Sequence, residues 1–366
     1  MVATSRIGRR LLPLTLAALL AGACGEPAQL LADIEAGAAP STLKRATAEP
    51  ILEPWPVPGT AADLWRPGGG EVAKARLVLA PGLSEAGRRD PRLVPLAQSL
   101  ARTGFLVLVP DLPAARRLSV SASDAETIVA AVLALPVLPG PAGLAAISYA
   151  AGPAMLAALD ARVAPRLDFI ATLGAYHDPE SFLTFLATGA YRDRGALRFG
   201  RPRPEALWLF VLANASDLPD AGEAFWLRAA AQARLQALPL PGAPPGPAAA
   251  AVLALAEERD PAAIPRRLAA LPAKIRADLD ALSLARAPLE RLGACAILIH
   301  GEEDPVIPWT ESRHLAERLP RARLHLIPGL DHVEPVGLSL AGRLALLRAA
   351  EDLLAARDGR DPCAGP

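Results

Sequence analysis

Apolar positions along this chain fall into two alternating rhythms. Ala75 to Ala80 is a short apolar run bounded by Pro81-Gly82, the pattern of a strand buried on both faces of a parallel sheet. Leu93, Leu96, Ala97 and Leu100 then recur at helical spacing, behind Asp90 as cap and Pro91 as first-turn residue, with Gly104 as the stop. Phe105 to Val109 is a second buried run. Strand, helix and strand at this spacing predict a βαβ unit with a right-handed crossover. An earlier strand is predicted over Ala61 to Pro67, closed by Gly68-Gly69-Gly70.

Ser123-Asp124-Ala125-Glu126 has the form of a capping box and predicts a helix running to Leu135 and halted by Pro136. Leu144 to Ile147 predicts a strand that runs straight into Ser148, where a helix rich in small residues begins. Leu167 to Leu173 is the next apolar run. From His177 to Gly293 the pattern becomes almost wholly helical, anchored by Phe182, Phe185, Trp208, Phe210 and Trp226, with a proline-rich joint at Pro239 to Pro247. A stretch that long between two strands is an insertion rather than a loop, and it predicts a helical cap over the strand ends. Alternation resumes with Cys295 to His300, Trp309 to Leu319, Arg323 to Ile327 and Leu338 to Ala356 as strand, helix, strand and closing helix.

Composition narrows this picture. With 52% hydrophobic and 21% charged residues in a chain of 366, a large core is available and global disorder is excluded. The 38 basic residues balance 38 acidic ones with no basic patch, which argues against a nucleic-acid partner. Neither an internal repeat nor a set of side chains with metal-ligand spacing is visible, and no cofactor is expected.

Three predicted strand ends carry residues of complementary chemistry. Ser148 follows one strand between the small residues Ala146 and Ala150. Asp304 follows the strand ending at His300, in His300-Gly301-Glu302-Glu303-Asp304-Pro305. His332 follows the strand ending at Ile327, in Gly329-Leu330-Asp331-His332. In open α/β sheets the working loops lie at the carboxyl ends of strands. Each residue alone has an ordinary reading: Ser148 as a helix cap, Asp304 and His332 as loop residues. His300 reads as a buried structural histidine, while His314 and His325 read as surface or packing residues. His177 opens the cap, where it could face a pocket.

In this order and on these elements the chain resembles the α/β-hydrolases, over roughly residues 60–176 and 294–356. The acid loop Ile-Leu-Ile-His-Gly-Glu-Glu-Asp-Pro, the Gly-Leu-Asp-His loop and the elbow Ile-Ser-Tyr-Ala-Ala-Gly carry the likeness, with some flavour of the dienelactone-hydrolase branch, which uses cysteine as nucleophile. The resemblance implies an α/β fold, a mostly parallel sheet flanked by helices. Its core would span 45–176 and 294–366 and its cap 177–293. It also implies Ser148 as nucleophile, His332 as base and Asp304 as its orienting acid. The backbone N–H groups of Tyr149 and Leu83 would form the oxyanion hole. The chain departs from the family in carrying alanine at 146 and 150, where glycine is usual, and Ala-Pro-Gly where many relatives have His-Gly. The expected substrate is a small-molecule ester with a small to medium apolar acyl group. A thioesterase, amidase or acyltransferase using the same triad, or a non-catalytic envelope protein on the same scaffold, are the other readings.

The N-terminus points to export. Arg6, Arg9 and Arg10 precede an apolar stretch from Leu11 to Ala21 that is short for a bilayer span, and Ala21-Gly22-Ala23 precedes Cys24. This predicts a signal peptide over 1–23. It resembles a bacterial lipobox, with Leu20 one place early, which would make Cys24 a lipidated first residue holding the protein to a membrane of the cell envelope. Simple secretion and a retained anchor are the alternatives. Residues 24–44 then read as a tether. Cys295 and Cys363 read as a buried thiol and a tail thiol in a compartment where pairing is permitted.

Overall fold

The structure is a computed structural model that describes residues 25–335 and 338–364. The predicted signal peptide and Cys24 lie outside the described residues. Ten strands matter to the argument: β1 (Ile51–Val57), β2 (Thr60–Arg66), β3 (Ala75–Ala80), β4 (Phe105–Pro110), β5 (Ala142–Ile147), β6 (Phe169–Leu173), β7 (Ala190–Asp193), β8 (Ala196–Phe199), β9 (Cys295–Gly301) and β10 (Ala322–Ile327). Eight form one sheet in the order β1-β2-β4-β3-β5-β6-β9-β10. β2 pairs antiparallel with both neighbours, and from β4 to β10 every pairing is parallel.

β4 is buried along its whole length, and β3 and β9 nearly so, because helices cover both faces of the sheet. One face packs Val78, Leu108, Leu144 and Ile170 under Ile128, Met155 and Leu315. The other packs Leu79, Val107, Phe169 and Ile297 under Leu93, Leu100 and Leu354. Register aligns the working ends: Ile147 stands opposite Leu173, Leu173 opposite Ile299, and Gly301 opposite Ile327. Four loops therefore leave the sheet along one rim.

Residues 26–46 do not form the tether expected over 24–44. Helix Glu26–Ala36 lies on the core, with Leu30 only 1% exposed and Ile34 one turn on packed in the same cluster. Leu30 and Ile34, four apart, make an apolar stripe that a solvated linker would lack. Asp33 is fully buried and takes Lys44 Nζ at 2.8 Å and Ser99 Oγ at 2.6 Å, besides Ser41 Oγ. Burial pushes that acid up, but these donors outweigh it and hold it below the usual carboxylate range. Glu26 pairs with the buried Arg357, which also donates to Thr103 O at 2.6 Å.

Three further expectations change. Cys295 and Cys363 form a disulfide rather than a buried and a tail thiol, stapling the C-terminal tail to the start of β9. Closing 68 residues in this way contributes about 4 kcal/mol by chain entropy. The capping box does not form: Ser123 Oγ bonds Ser121 Oγ, Glu126 pairs with Arg162, and helix Asp124–Leu133 starts without a side-chain cap. The stretch from 177 to 293 is mostly helical but includes a two-stranded ribbon, β7 with β8. Its helices bury a core of their own around Leu183, Leu207, Trp226, Leu227 and Ile264.

Candidate active site

β5 ends at Ile147, and Ser148 follows with φ of 53°, in the left-handed region that a side chain rarely adopts. The strand behind it and the helix that follows hold the strained turn, lifting Oγ off the rim. Ala146 and Ala150 are buried at 2% and 0%, so methyl groups fit at both positions where the family carries glycine. Gly152, in the helix that follows the elbow, has a side chain packed directly against it. A Cβ there would sit 1.8 Å from the phenol oxygen of fully buried Tyr176.

The rim brings the three predicted side chains together. Ser148 Oγ lies 2.7 Å from His332 Nε2, and His332 Nδ1 lies 2.7 Å from Asp304 Oδ2. Asp304 is 4% exposed, and its other oxygen takes the backbone N–H groups of Val306 and Ile307 at 2.8 and 2.9 Å. Burial pushes the Asp304 carboxyl up, but His332 and His300 together outweigh it and hold it well below the ordinary value. An ionised acid facing Nδ1 keeps the proton on that nitrogen and leaves Nε2 free to accept from Ser148.

His300 is a structural histidine with a direct contact to this acid, which the sequence pattern did not indicate. It is fully buried, with Nε2 2.9 Å from Ile307 O and 3.2 Å from Asp304 Oδ2, and Nδ1 2.6 Å from Ser312 Oγ. Two acceptors face Nε2, so the proton sits there. Gly174, just past β6, was also missed. Its φ is 68°, and a Cβ would approach His332 Cε1 and Nδ1 to 3.2 and 3.3 Å, so glycine leaves room for the ring.

The loop after β3 passes the elbow closely: a Cβ on Gly82 would meet Ile147 O at 3.2 Å and Ser148 Cβ at 3.7 Å. Among the described residues, the amide N–H groups of Leu83 and Tyr149 donate to no protein acceptor. The Tyr149 side chain points away, donating to Ser121 O at 2.8 Å and bonding the buried Asp124. It fixes the turn from below.

Beside the triad stands a second buried carboxylate. Glu311 is 0% exposed and accepts from the backbone N–H groups of His177 and Asp178, both at 2.9 Å, and from Ser181 Oγ at 2.6 Å. It thereby ties the first turn of the cap to the core. His177 packs edge-on against His314, 5.8 Å between ring centres, and burial pushes it down to about 4. A second tie is Arg203, whose N–H donates to Pro305 O at 2.7 Å and whose guanidinium meets Asp331 at 2.6 Å. His325 is buried against Asp352. Trp226 is packed in the cap core, and Trp208 lies beneath the Arg234 guanidinium.

No family model matches the chain, and no curated protein matches it. Solved structures overlap it at low identity. A 2-hydroxy-6-oxo-6-phenylhexa-2,4-dienoate hydrolase from Rhodococcus is 17% identical over 85% of this chain and 99% of its own, with a TM-score of 0.43. A dienelactone hydrolase from Anabaena variabilis is 18% identical over 84% and 98%, with a TM-score of 0.43. The mouse alpha/beta hydrolase domain-containing protein 10 is 14% identical over 83% and 98%, with a TM-score of 0.45. With β2 alone reversed in an eight-stranded sheet, and the elbow, acid and histidine loops at its carboxyl edge, the chain has the α/β-hydrolase fold.

Proposed function

We propose that the chain is a serine hydrolase that cleaves carboxylic esters of small to medium apolar acyl groups through an acyl-enzyme on Ser148. The observation that carries this reading is the unbroken path from Ser148 Oγ through His332 to the ionised Asp304, each link 2.7 Å long. In this mechanism Oγ attacks the ester carbonyl while His332 Nε2 takes its proton. Asp304 stabilises the imidazolium that results. The N–H groups of Tyr149 and Leu83, free of protein acceptors, receive the developing oxyanion. The imidazolium then protonates the leaving alcohol, and water releases the acid by the same steps in reverse.

The test is turnover of p-nitrophenyl esters from acetate to octanoate, beside Ser148→Ala and labelling by a fluorophosphonate probe. The wild type should turn over and label, and Ser148→Ala should lose both, with kcat down about 10⁶-fold. Turnover that survives in Ser148→Ala sinks the assignment. We further propose a location in the cell envelope, with lipid on Cys24. Helix Glu26–Ala36 begins two residues after that cysteine and is docked, so the lipid would hold the domain flush to the membrane. A Cys24→Ser chain should lose incorporation of labelled fatty acid.

A further inference from the structure

Residues 190–203 carry five arginines against one aspartate, a local basic run that the overall balance of 38 basic and 38 acidic residues conceals. They fold as the ribbon β7–β8, turned by Arg194 and Gly195, both at positive φ. One face of the ribbon is fixed to the body. Tyr191 packs edge-on against Phe185 at 6.0 Å, and Asp193 pairs with Arg313, which holds that carboxyl below its ordinary value. Register puts Tyr191, Asp193 and Arg198 on that face and Arg192, Leu197 and Phe199 on the other, which is buried at Ala190 and exposed beyond it.

That face is apolar where it is most exposed. Leu197 is 47% and Phe199 65% accessible. Among the described residues the guanidinium groups of Arg194, Arg198 and Arg201 form no ion pair, whereas Arg162, Arg234, Arg267 and Arg321 all do. A rigid ribbon presenting two large apolar side chains within a fringe of unpaired cations matches a surface that is anionic outside and apolar beneath. A nucleic acid would satisfy the arginines but leave Leu197 and Phe199 without a partner. We infer that the β7–β8 ribbon docks on an anionic lipid surface.

The ribbon's position gives this docking a direction. Arg203, at its base, bonds the loops that carry Asp304 and His332, so a bilayer touched by the ribbon lies at the mouth of the site. Glu26 lies at the other edge of the sheet, against Arg357 and Thr103. A bilayer held through the chain's start would therefore face away from the site, and the ribbon meets a different surface. Binding by the ribbon stands whether or not Ser148 is a nucleophile; only the supply of lipid-borne esters to the site rests on that reading.

The test uses the full chain with Cys24→Ser and Ala196→Cys, labelled at position 196 with an environment-sensitive fluorophore; the Cys295–Cys363 disulfide leaves no other free thiol. Vesicles of phosphatidylcholine with phosphatidylglycerol should shift the emission to the blue, and phosphatidylcholine alone should not. Each cation near an anionic surface is worth about a fivefold change in partition, so Arg194→Gln, Arg198→Gln and Arg201→Gln together should weaken binding about 100-fold. Phe199→Ser should weaken it about tenfold by removing buried apolar area. Hydrolysis of soluble p-nitrophenyl acetate should be unchanged in all these variants, which reports that they fold. No shift, an equal shift on neutral vesicles, or a shift with single-stranded RNA and none with vesicles overturns the inference. So does a shift that follows protein concentration without lipid, which would make the ribbon a contact between copies. A wild type that binds anionic vesicles but hydrolyses no ester would sink the esterase reading and leave the docking intact.

Discussion

Asp304 and Glu311 lie seven positions apart, on the loop after β9 and in the helix that follows it, and their surroundings match to a surprising degree. Both are buried, both accept two backbone N–H groups on one oxygen, and both have a histidine near the other. Yet burial is overridden at Asp304, whose carboxyl is held low, and prevails at Glu311, which is pushed up. The difference is the second oxygen. At Asp304 it meets His332 at 2.7 Å and His300 at 3.2 Å; at Glu311 it meets the neutral Ser181 hydroxyl, with His314 at 3.9 Å. Backbone N–H groups alone do not bring a buried carboxyl below its ordinary value here, while close imidazoles do. One acid faces the His332 ring; the other roots the cap.

The largest expected effect separates those roles directly. Asp304→Asn presents an amide to Nδ1 and favours the wrong tautomer of His332, so kcat should fall about 10⁴-fold with little change in KM. Glu311→Gln should leave kcat at its wild-type value, because a side-chain carbonyl still accepts from His177 and Asp178 and its NH₂ can donate to Ser181 Oγ. Assaying both on p-nitrophenyl acetate breaks the comparison if Glu311→Gln also loses turnover.

Gly174 sharpens the contrast, since it lies on the segment joining the two acids' surroundings, three residues before His177. Gly174→Ala would press a methyl against the His332 ring at a backbone angle of φ 68°. A displacement of a few tenths of an ångström to 1 Å at the ring should lower kcat roughly 10- to 100-fold. The same strain should cost about 1 kcal/mol of stability, read as a lower Tm. Glu311's bonds to the cap root involve none of these atoms, so an apolar-ester KM should hold. A Gly174→Ala chain with full kcat would mean that the ring has room to spare.

Part of this was legible from residues alone, and the reason is the sheet. Strands buried on both faces, such as Ala75–Ala80 and Phe105–Pro110, read as apolar runs whatever their neighbours, and they fix where Ser148, Asp304 and His332 emerge. β1 was not seen because Pro54 and Pro56 interrupt it; as an edge strand it tolerates both. The β7–β8 ribbon escaped because each strand is four residues long and its outer face is exposed, so neither burial nor length marks it. The docked helix Glu26–Ala36 passed for a tether because its partners, Ser99 and Arg357, lie far along the chain. Gly174 and Glu311 were hidden for the same reason: a glycine that clears a ring, or an acid that receives a distant turn, carries no local pattern.

The smallest effect tests how the cap root titrates. Glu311, pushed up by burial, holds its proton longer when folded than the ordinary 4.5 allows, so stability falls as pH rises from about 4.5 upward. His177 has the opposite slope. Burial and the neighbouring His314 push it from 6.5 down to about 4, despite Asp178, so between those values the unfolded chain binds more protons and stability rises with pH. The two slopes oppose each other above about pH 4.5, where Glu311 begins to lower stability, and His177 goes on raising it up to about 6.5. Glu311→Gln removes one slope and should leave Tm climbing through that window. His177→Phe removes the other; its ring keeps the edge contact with His314 and no longer buries the unpartnered Nε2, and Tm should then decline with pH. Asp304→Asn should leave this window alone, since a low folded value places its contribution above 3.8 and its loss below, in the acid limb. If instead Asp304→Asn reshapes the interval from 4.5 to 6.5 while Glu311→Gln does not, the assignment of the ionised and the raised acid is reversed.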